Sequence, residues 1–186
     1  VGGAVRDAIL GKNPKDFDLA TDAKPDEVLK IAKDGGLKTT EVGKSFGVVV
    51  VGGHEIATFR KDIGKGRRPS AVDYTDIEGD VKRRDLTINA MGIGLNRSNF
   101  GQLIDPFDGL GDIERQTIRT PLDPDKTFSD DPLRMMRAIR FATQLGFKIE
   151  EETFEGIVDL VQMKAFHFDG TSGEKITEIE IPADIK

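Results

Sequence analysis

The chain has 186 residues, no cysteine, 37% hydrophobic residues and a formal net charge of −6. This length suits one domain, or one domain with a small appendage. The lack of cysteine excludes disulfides and thiolate metal sites and agrees with a reducing cytoplasm. No apolar run reaches the roughly 20 residues of a membrane-spanning helix, and no signal peptide is visible, so we expect a cytoplasmic protein without membrane contact.

Glycines open the chain ahead of a short helical stretch. Gly2 and Gly3 precede Arg6 and Asp7. Glycine lets backbone N–H groups approach an anion closely, and a helix N-terminus favours negative charge. The segment therefore predicts a phosphate cradle, with Arg6 as a phosphate or ion-pair residue and Asp7 as a helix cap or its partner. Such loops normally follow a strand, so we expect residues before Val1 in the complete protein.

Two carboxylates, Asp16 and Asp18, lie two residues apart in the stretch 15–21, which is typical of a β-strand. Because side chains alternate across a strand, both carboxylates share one face. Paired carboxylate oxygens suit hard divalent cations such as Mg²⁺. A phosphate cradle followed by this pair predicts phosphoryl transfer; the alternative is a pair of solvated strand carboxylates. Glu55 is the candidate third catalytic carboxylate, unless it is simply an exposed strand residue.

The rest of the chain combines predicted helices, a hairpin and a loop. In chain order, we expect a helix from Pro25 to the glycines at 35–36, a β-hairpin from strands 46–51 and 55–59, a long flexible loop at 60–76, a buried strand at 86–95, a turn and short helix at 105–113, and helices at 132–145 and 151–163. The stretch 170–186 has no pattern that predicts a structure.

Positive charge is concentrated in clusters, although the chain as a whole is acidic. The clusters are Arg60-Lys61, Lys65-Gly66-Arg67-Arg68, Lys82-Arg83-Arg84, and the series Arg134, Arg137 and Arg140. A few phosphate-binding sites in an acidic chain would produce this distribution. Solvated loop charge remains an alternative for the first two clusters.

The last cluster forms an arginine edge on the helix predicted after Pro132. Arg134, Arg137 and Arg140 recur at intervals of three, so they lie along one side of that helix. No acidic residue shares this edge, which favours an anionic ligand or a nucleobase over a solvated face. Asp131 directly precedes Pro132, where its simplest role is a helix cap.

Four ordered motifs identify a family resemblance. They are residues 2–7 (GGAVRD), 16–21 (DFDLAT), 83–91 (RRDLTINAM) and 131–141 (DPLRMMRAIRF). Together they resemble the bacterial-type (class II) tRNA nucleotidyltransferases and poly(A) polymerases of the DNA polymerase β superfamily, which include the CCA-adding enzymes. The resemblance extends from Val1 to about Leu160.

The resemblance implies an α/β (α+β) fold with two parts. Residues 1–120 would form a nucleotidyltransferase head with a five-stranded mixed sheet and flanking helices. Residues 121–186 would form an all-helical neck that recognises the nucleotide base. The family's helical body and tail domains, which grip tRNA, have no counterpart in this sequence, so we expect a fragment or missing segments.

The resemblance also implies roles for individual residues. Asp16 and Asp18 would hold Mg²⁺. The implied nucleotide-binding residues are Gly2, Gly3, Arg6, Arg84, Asp85, Asn89, Asp131, Arg134, Arg137 and Arg140. Asp131 and Arg134 would act as an amino-acid template for the incoming base. An aspartate accepts from an exocyclic amine and an arginine donates to an adjacent acceptor, which suits cytosine and adenine.

The implied activity is Mg²⁺-dependent addition of CMP and AMP, from CTP and ATP, to the 3′ end of tRNA without a nucleic-acid template. Pyrophosphate would be released. Within the class, an A-adding enzyme, a CC-adding enzyme and a poly(A) polymerase remain open. A non-enzymatic alternative is an RNA-binding module that kept the polymerase fold and lost turnover.

Overall fold

Short strands and helices alternate along the chain in the computed structural model, which describes residues 1–41, 43–63, 71–163, 165–169 and 175–179. The helices of the described residues are α1 (Gly3–Ile9), α2 (Pro25–Asp34), α3 (Ile77–Lys82), α4 (Gly109–Glu114), α5 (Pro124–Asp130), α6 (Leu133–Leu145) and α7 (Glu151–Met163), with 3₁₀ turns at Lys44–Phe46 and Thr87–Asn89. The strands are β1 (Leu19–Thr21), β2 (Thr39–Thr40), β3 (Val48–Val51), β4 (His54–Thr58), β5 (Arg60–Ile63), β6 (Ala71–Tyr74), β7 (Gly92–Ile93), β8 (Leu103–Ile104), β9 (Thr117–Ile118), β10 (Lys148–Ile149), β11 (Ala165–Asp169) and β12 (Lys175–Ile179).

The main sheet is mixed and has four strands among the described residues, in the order β1-β4-β3-β2. β1 pairs with β4 in parallel, whereas β4, β3 and β2 pair antiparallel. Alternate residues of β3 share a face, so Val49 and Val51 both turn towards α2. They pack there against Val28 and Ala32, which are one helical turn apart. The mixed α/β fold is confirmed; the implied fifth strand and the all-helical neck are not, since β10, β11 and β12 lie within residues 121–186.

A second and larger core joins the N-terminal helix to the C-terminal helices. Its members are Val5, Leu86, Ile88, Met91, Ile113, Ile118, Phe128, Ala138, Phe141, Phe147 and Ile157. These residues come from both sides of the boundary predicted at residue 120, and that division stays a prediction. No helix in the described ranges is long and apolar enough to cross a membrane.

The predicted helices at α2, α4, α6 and α7 and the β3–β4 hairpin are confirmed. The strand predicted at 15–21 is shorter than expected, because ladder pairing begins only at Leu19, opposite Ile56. Asp16 and Asp18 lie in the non-strand segment that leads into β1.

The prediction of a buried strand at 86–95 is wrong for most of that segment. Residues Thr87–Asn89 form a 3₁₀ turn, and only Gly92–Ile93 pair as a strand, with β8. Leu86 and Ile88 are fully buried. A continuous buried run does not distinguish a strand from other buried structure by its periodicity, which explains the error.

The segment 60–76, predicted as a long flexible loop, begins and ends with strands that pair with each other in an antiparallel hairpin. β5 pairs with β6 from Arg60 opposite Tyr74 to Ile63 opposite Ala71. The backbone N–H of Arg60 donates to the Asp80 side chain over 3.2 Å, a contact that sequence periodicity does not reveal. Residues 64–70, with the whole of the second basic cluster, lie outside the described residues, as do 170–174 and 180–186.

Candidate functional site

Most of the predicted site residues line one cavity of about 970 Å³, between the segment before β1, the 83–89 segment and α6. The predicted residues that line it are Gly3, Arg6, Asp16, Asp18, Arg84, Asp85, Asn89, Asp131, Arg134, Arg137 and Arg140. Arg83, Leu133, Met136 and Phe141 complete its wall. Gly2 and Glu55 do not line it. Residues far apart in sequence thus meet at one concave site.

Gly2 is the residue that brings the start of α1 against Arg84. Its φ of 73° is a left-handed conformation that favours glycine. A Cβ at this position would lie 2.7 Å from Nη1 of Arg84 and 3.7 Å from Oδ2 of Asp18. Gly2 therefore permits a close approach of backbone, guanidinium and carboxylate that any larger residue would block.

Arg6 is a buried arginine, 7% exposed, and each of its three guanidinium nitrogens donates to a neighbouring side chain. Nη1 donates to Oδ1 of Asn89 over 2.6 Å, and Nε and Nη2 donate to Oδ1 of Asp7 over 2.9 and 2.7 Å. A buried charge needs such partners to be tolerated. Asp7 is therefore an ion-pair partner of Arg6, one of its two predicted roles.

Asp16 and Asp18 are both exposed on the cavity wall, and neither forms a salt bridge with another described residue. Two accessible carboxylates without cationic partners fit a hard divalent cation, which takes one or two carboxylates plus water and substrate phosphates. Glu55 directly precedes Ile56, as Asp18 directly precedes the paired Leu19. Among the described residues, however, no group of three or more possible ligands surrounds a common metal position. Glu55 as a third ligand stays a prediction.

Asp80 does not line the cavity but holds Arg84, which does, and this role was not predicted from the sequence. It is 2% exposed and lies on α3, where its Oδ1 accepts from Nη2 of Arg83 over 2.8 Å and its Oδ2 accepts from Nη2 of Arg84 over 3.3 Å. Burial raises the pKa of Asp80, but the charges of the two arginines, with bonds from Arg83 and the Arg60 N–H, outweigh it and hold the pKa below its usual range. The i, i+3 and i, i+4 spacing to two arginines was the available sequence clue.

Asp85 ties α6 to the 83–89 segment. Its carboxylate is 7% exposed; Oδ2 accepts from Nε of Arg137 over 2.6 Å, and Oδ1 accepts from the Leu86 N–H over 3.0 Å and from Nδ2 of Asn89 over 3.4 Å. Charge-assisted bonds of this length are strong, particularly when they are sheltered from water. The arginine edge is therefore anchored to the segment that carries Arg84.

A third buried carboxylate, Asp112 on α4, contacts the first residue of the 3₁₀ turn. It is 1% exposed and accepts from Oγ1 of Thr87 over 2.6 Å, from Nε of Arg119 over 3.0 Å and from Nη2 of Arg115 over 2.7 Å. The backbone N–H of Thr87 also donates to the Arg119 carbonyl. Because Thr87 opens the turn that contains Asn89, this network fixes one wall of the cavity.

Asp131 and Arg134 lie at the start of α6. Oδ1 of Asp131 accepts from the Leu133 N–H over 3.1 Å, so the predicted capping interaction is present, although the helix itself begins at Leu133. Arg134 donates from Nη2 to the Arg83 carbonyl over 2.9 Å and from Nη1 to the Thr127 carbonyl over 3.3 Å. Capping uses one carboxylate oxygen of Asp131, and both side chains remain on the cavity wall.

The mixed sheet, the glycine-led helix and the carboxylate pair beside it define a nucleotidyltransferase head fold. A family model described as the poly A polymerase head domain matches residues 1–119, and the chain belongs to this family. The resemblance inferred from the four motifs is confirmed.

Curated relatives and solved structures agree with this assignment. The chain is 46% identical over 164 residues to the CCA-adding enzyme of Bacillus pumilus (strain SAFR-032), covering 84% of this chain and 39% of that protein. It resembles the crystal structure of the Bacillus stearothermophilus CCA-adding enzyme in complex with CTP, with a TM-score of 0.74, 41% identity, and coverage of 86% of this chain and 38% of that one.

A tRNA nucleotidyltransferase complexed with a primer tRNA and an incoming ATP analog also matches. The TM-score is 0.73 at 33% identity, with 88% of this chain and 46% of that chain covered. The chain thus spans less than half the length of each of these relatives.

Proposed function

We propose that the protein is a template-independent nucleotidyltransferase that adds CMP and AMP from CTP and ATP to the 3′ end of tRNA and releases pyrophosphate. The observation that carries the proposal is the single cavity shared by the carboxylate pair, the glycine-led helix and the arginine edge. Relatives that carry the name CCA-adding enzyme at 43–46% identity support the same activity.

The triphosphate would lie against the side of the cavity formed by α1 and Arg84. Gly3 begins α1, and a Cβ there would lie 3.5 Å from Nη2 of Arg6, in ordinary van der Waals contact with the guanidinium. Arginine presents donors in a planar fork that matches phosphate geometry. Asp80 orients Arg84, and Asn89 orients Arg6, so both guanidinium groups are positioned before the nucleotide arrives.

Asp16 and Asp18 would hold Mg²⁺ at the edge of β1. When bound, the metal would activate the RNA 3′-hydroxyl and neutralise charge on the leaving phosphates. The exposure of both carboxylates leaves room for substrate oxygens beside them. The chain's own contribution would be to bind the phosphates through Arg84, with the carboxylate pair left for the metal, while the 3′-hydroxyl approaches.

The base would be recognised by Asp131 and Arg134. One oxygen of Asp131 caps α6, which fixes the carboxylate, and the second oxygen is then oriented to accept from an exocyclic amine. Two backbone carbonyls fix Arg134 in the same way. A wrong base leaves a polar group unpaired, which costs about 1–3 kcal/mol. In this proposal residues 1–120 are the catalytic head and residues 121–186 belong to a base-reading neck.

Primer extension tests the proposal. Three tRNA substrates, lacking all, two or one of the CCA nucleotides, are offered CTP and ATP separately and together with Mg²⁺. With one nucleotide at a time, we expect CMP addition to the first two substrates and AMP addition only to the third. With both nucleotides, we expect all three substrates to be completed to CCA. AMP addition alone, CMP addition alone or long A tails would instead identify an A-adding enzyme, a CC-adding enzyme or a poly(A) polymerase.

Paired variants separate catalysis from folding in the same assay. Asp16→Asn removes a carboxylate before β1, and Asp22→Asn removes an equally exposed carboxylate just after it. We expect Asp16→Asn to lose on the order of a thousandfold in rate and Asp22→Asn to keep the parental rate. Tight tRNA binding without any incorporation by the parent would favour the inactive RNA-binding module instead.

A further inference from the structure

Phe141 lies beneath three of the arginines that line the cavity. The guanidinium carbons of Arg6, Arg140 and Arg137 are 4.7, 4.6 and 5.6 Å from the centroid of its ring. Cations near the face of an aromatic ring are attracted by its quadrupole. The phenylalanine itself is 6% exposed and belongs to the larger core, so core packing fixes the position of the ring.

The three arginines differ in their other partners. Arg6 is paired with Asp7, and Arg137 is paired with Asp85. Arg140 is exposed and has neither a salt bridge nor a side-chain hydrogen bond within the described ranges; its recorded contact is the ring of Phe141. The ring thus holds one cationic side chain on the cavity wall without neutralising its charge, which a carboxylate partner would do.

We propose that Phe141 is a positioning residue for the triphosphate: its ring holds the guanidinium of Arg140 beside that of Arg6, and the two together recognise the terminal phosphates of the incoming nucleotide. This inference rests on the proposed function and adds a residue to it. A long side chain free in solvent loses rotamer freedom when it binds an anion, and stacking on a fixed ring removes part of that loss in advance. The benefit applies to a nucleoside triphosphate and much less to a monophosphate.

The test compares two phenylalanines of the same core. Phe141→Leu and Phe141→Met remove the ring beneath the arginines, whereas Phe128→Leu removes a fully buried ring on α5 for which no arginine contact is recorded among the described residues. Equilibrium binding of CTP and of CMP is measured without RNA, alongside thermal unfolding. We expect the Phe141 variants to lower the preference for CTP over CMP about fivefold, and Phe128→Leu to lower the melting temperature and leave that preference unchanged.

A double-mutant cycle adds a result that a purely structural role would not give. Arg140→Ala should lower the CTP preference in the parent and have little further effect in the Phe141→Leu background, because the ring acts through that arginine. Additive effects, or an equal loss of preference in Phe128→Leu, would overturn the proposal. If neither Phe141 variant folds, an unchanged CTP preference in Arg140→Ala also overturns it. A parent that binds CTP no better than CMP would contradict the proposed function itself.

Discussion

The carboxylate of Asp80 offers a direct test of how the cavity is held together. It is nearly completely buried and accepts from Arg83, Arg84 and the Arg60 N–H, so it links α3, the β5–β6 hairpin and the cavity wall. Asp80→Asn keeps the shape and one acceptor oxygen and removes the negative charge. The two partly buried arginines then lose this negative charge.

The magnitude follows from the exposure of those partners. Breaking a fully buried ion pair costs about 3–5 kcal/mol. Because the side chains of Arg83 and Arg84 are 25% and 21% exposed, water compensates part of the loss. We therefore expect Asp80→Asn to lower the free energy of unfolding at pH 7 by about 2 kcal/mol. Urea denaturation measures this change, and the slope with urea should match the parent.

The pH dependence supplies the sharper criterion. Since the pKa of Asp80 is depressed in the folded state, its stabilisation is complete above the unfolded-state pKa of about 4 and is lost as the pH falls through the folded-state pKa. The stability difference between parent and Asp80→Asn should therefore shrink below about pH 4. Asp26→Asn, at an exposed carboxylate paired with Lys44, is the matched control and should leave the unfolding midpoint unchanged. A difference that is constant with pH would refute the ion-pair explanation.

Two further predictions concern the glycine segment and the base-reading pair. Gly2→Ala should weaken CTP binding and destabilise the fold by about 1 kcal/mol or more, because its Cβ would displace Arg84. Gly11 also has a positive φ, of 68°, but a Cβ there would meet nothing within 4 Å, so Gly11→Ala should leave CTP binding unchanged. Arg134→Ala should raise UMP and GMP incorporation relative to CMP and AMP by roughly five- to 150-fold in four-nucleotide competition. Asp131→Ser keeps the cap but should also relax base choice; parental base preference in both variants would remove support for the template.

The elements with clear periodicity were predictable from the sequence. In α2 the apolar positions recur at helical spacing and end at glycines. In the β3–β4 hairpin a Gly-Gly turn separates a run of four valines from a second short strand that contains Ile56 and Thr58. These signals are local, so each segment carries its own structural information. The four motifs added the family, and with it most of the cavity residues.

The elements that were predicted wrongly from the sequence depend on distant partners. The turn at Thr87–Asn89 is held by Asp112 and by the carbonyl of Arg119, 32 residues further along the chain. The β5–β6 hairpin is held at its base by Asp80. Neither contact leaves a periodic pattern in its own segment, so propensity and pattern favoured a strand in the first case and a loop in the second. The contacts of Phe141 were not predicted for a similar reason. A core phenylalanine on a helix gives no sign in the sequence that arginines lie against its ring, one of them from a distant part of the chain.

The distribution of partners among the cavity charges is itself an argument for ligand binding. Arg6, Arg84 and Arg137 each have an aspartate partner, and those contacts set the geometry of the walls. Asp16 and Asp18 have no salt bridge, and neither does Arg140, among the described residues. Opposite charges left apart on one wall would gain free energy by pairing if the chain were flexible. The buried networks around Asp112 and Asp80 hold the 83–89 segment of the cavity wall. In the proposed function, the unpaired carboxylates and the unpaired guanidinium would then be available for a ligand that carries both a metal and phosphates.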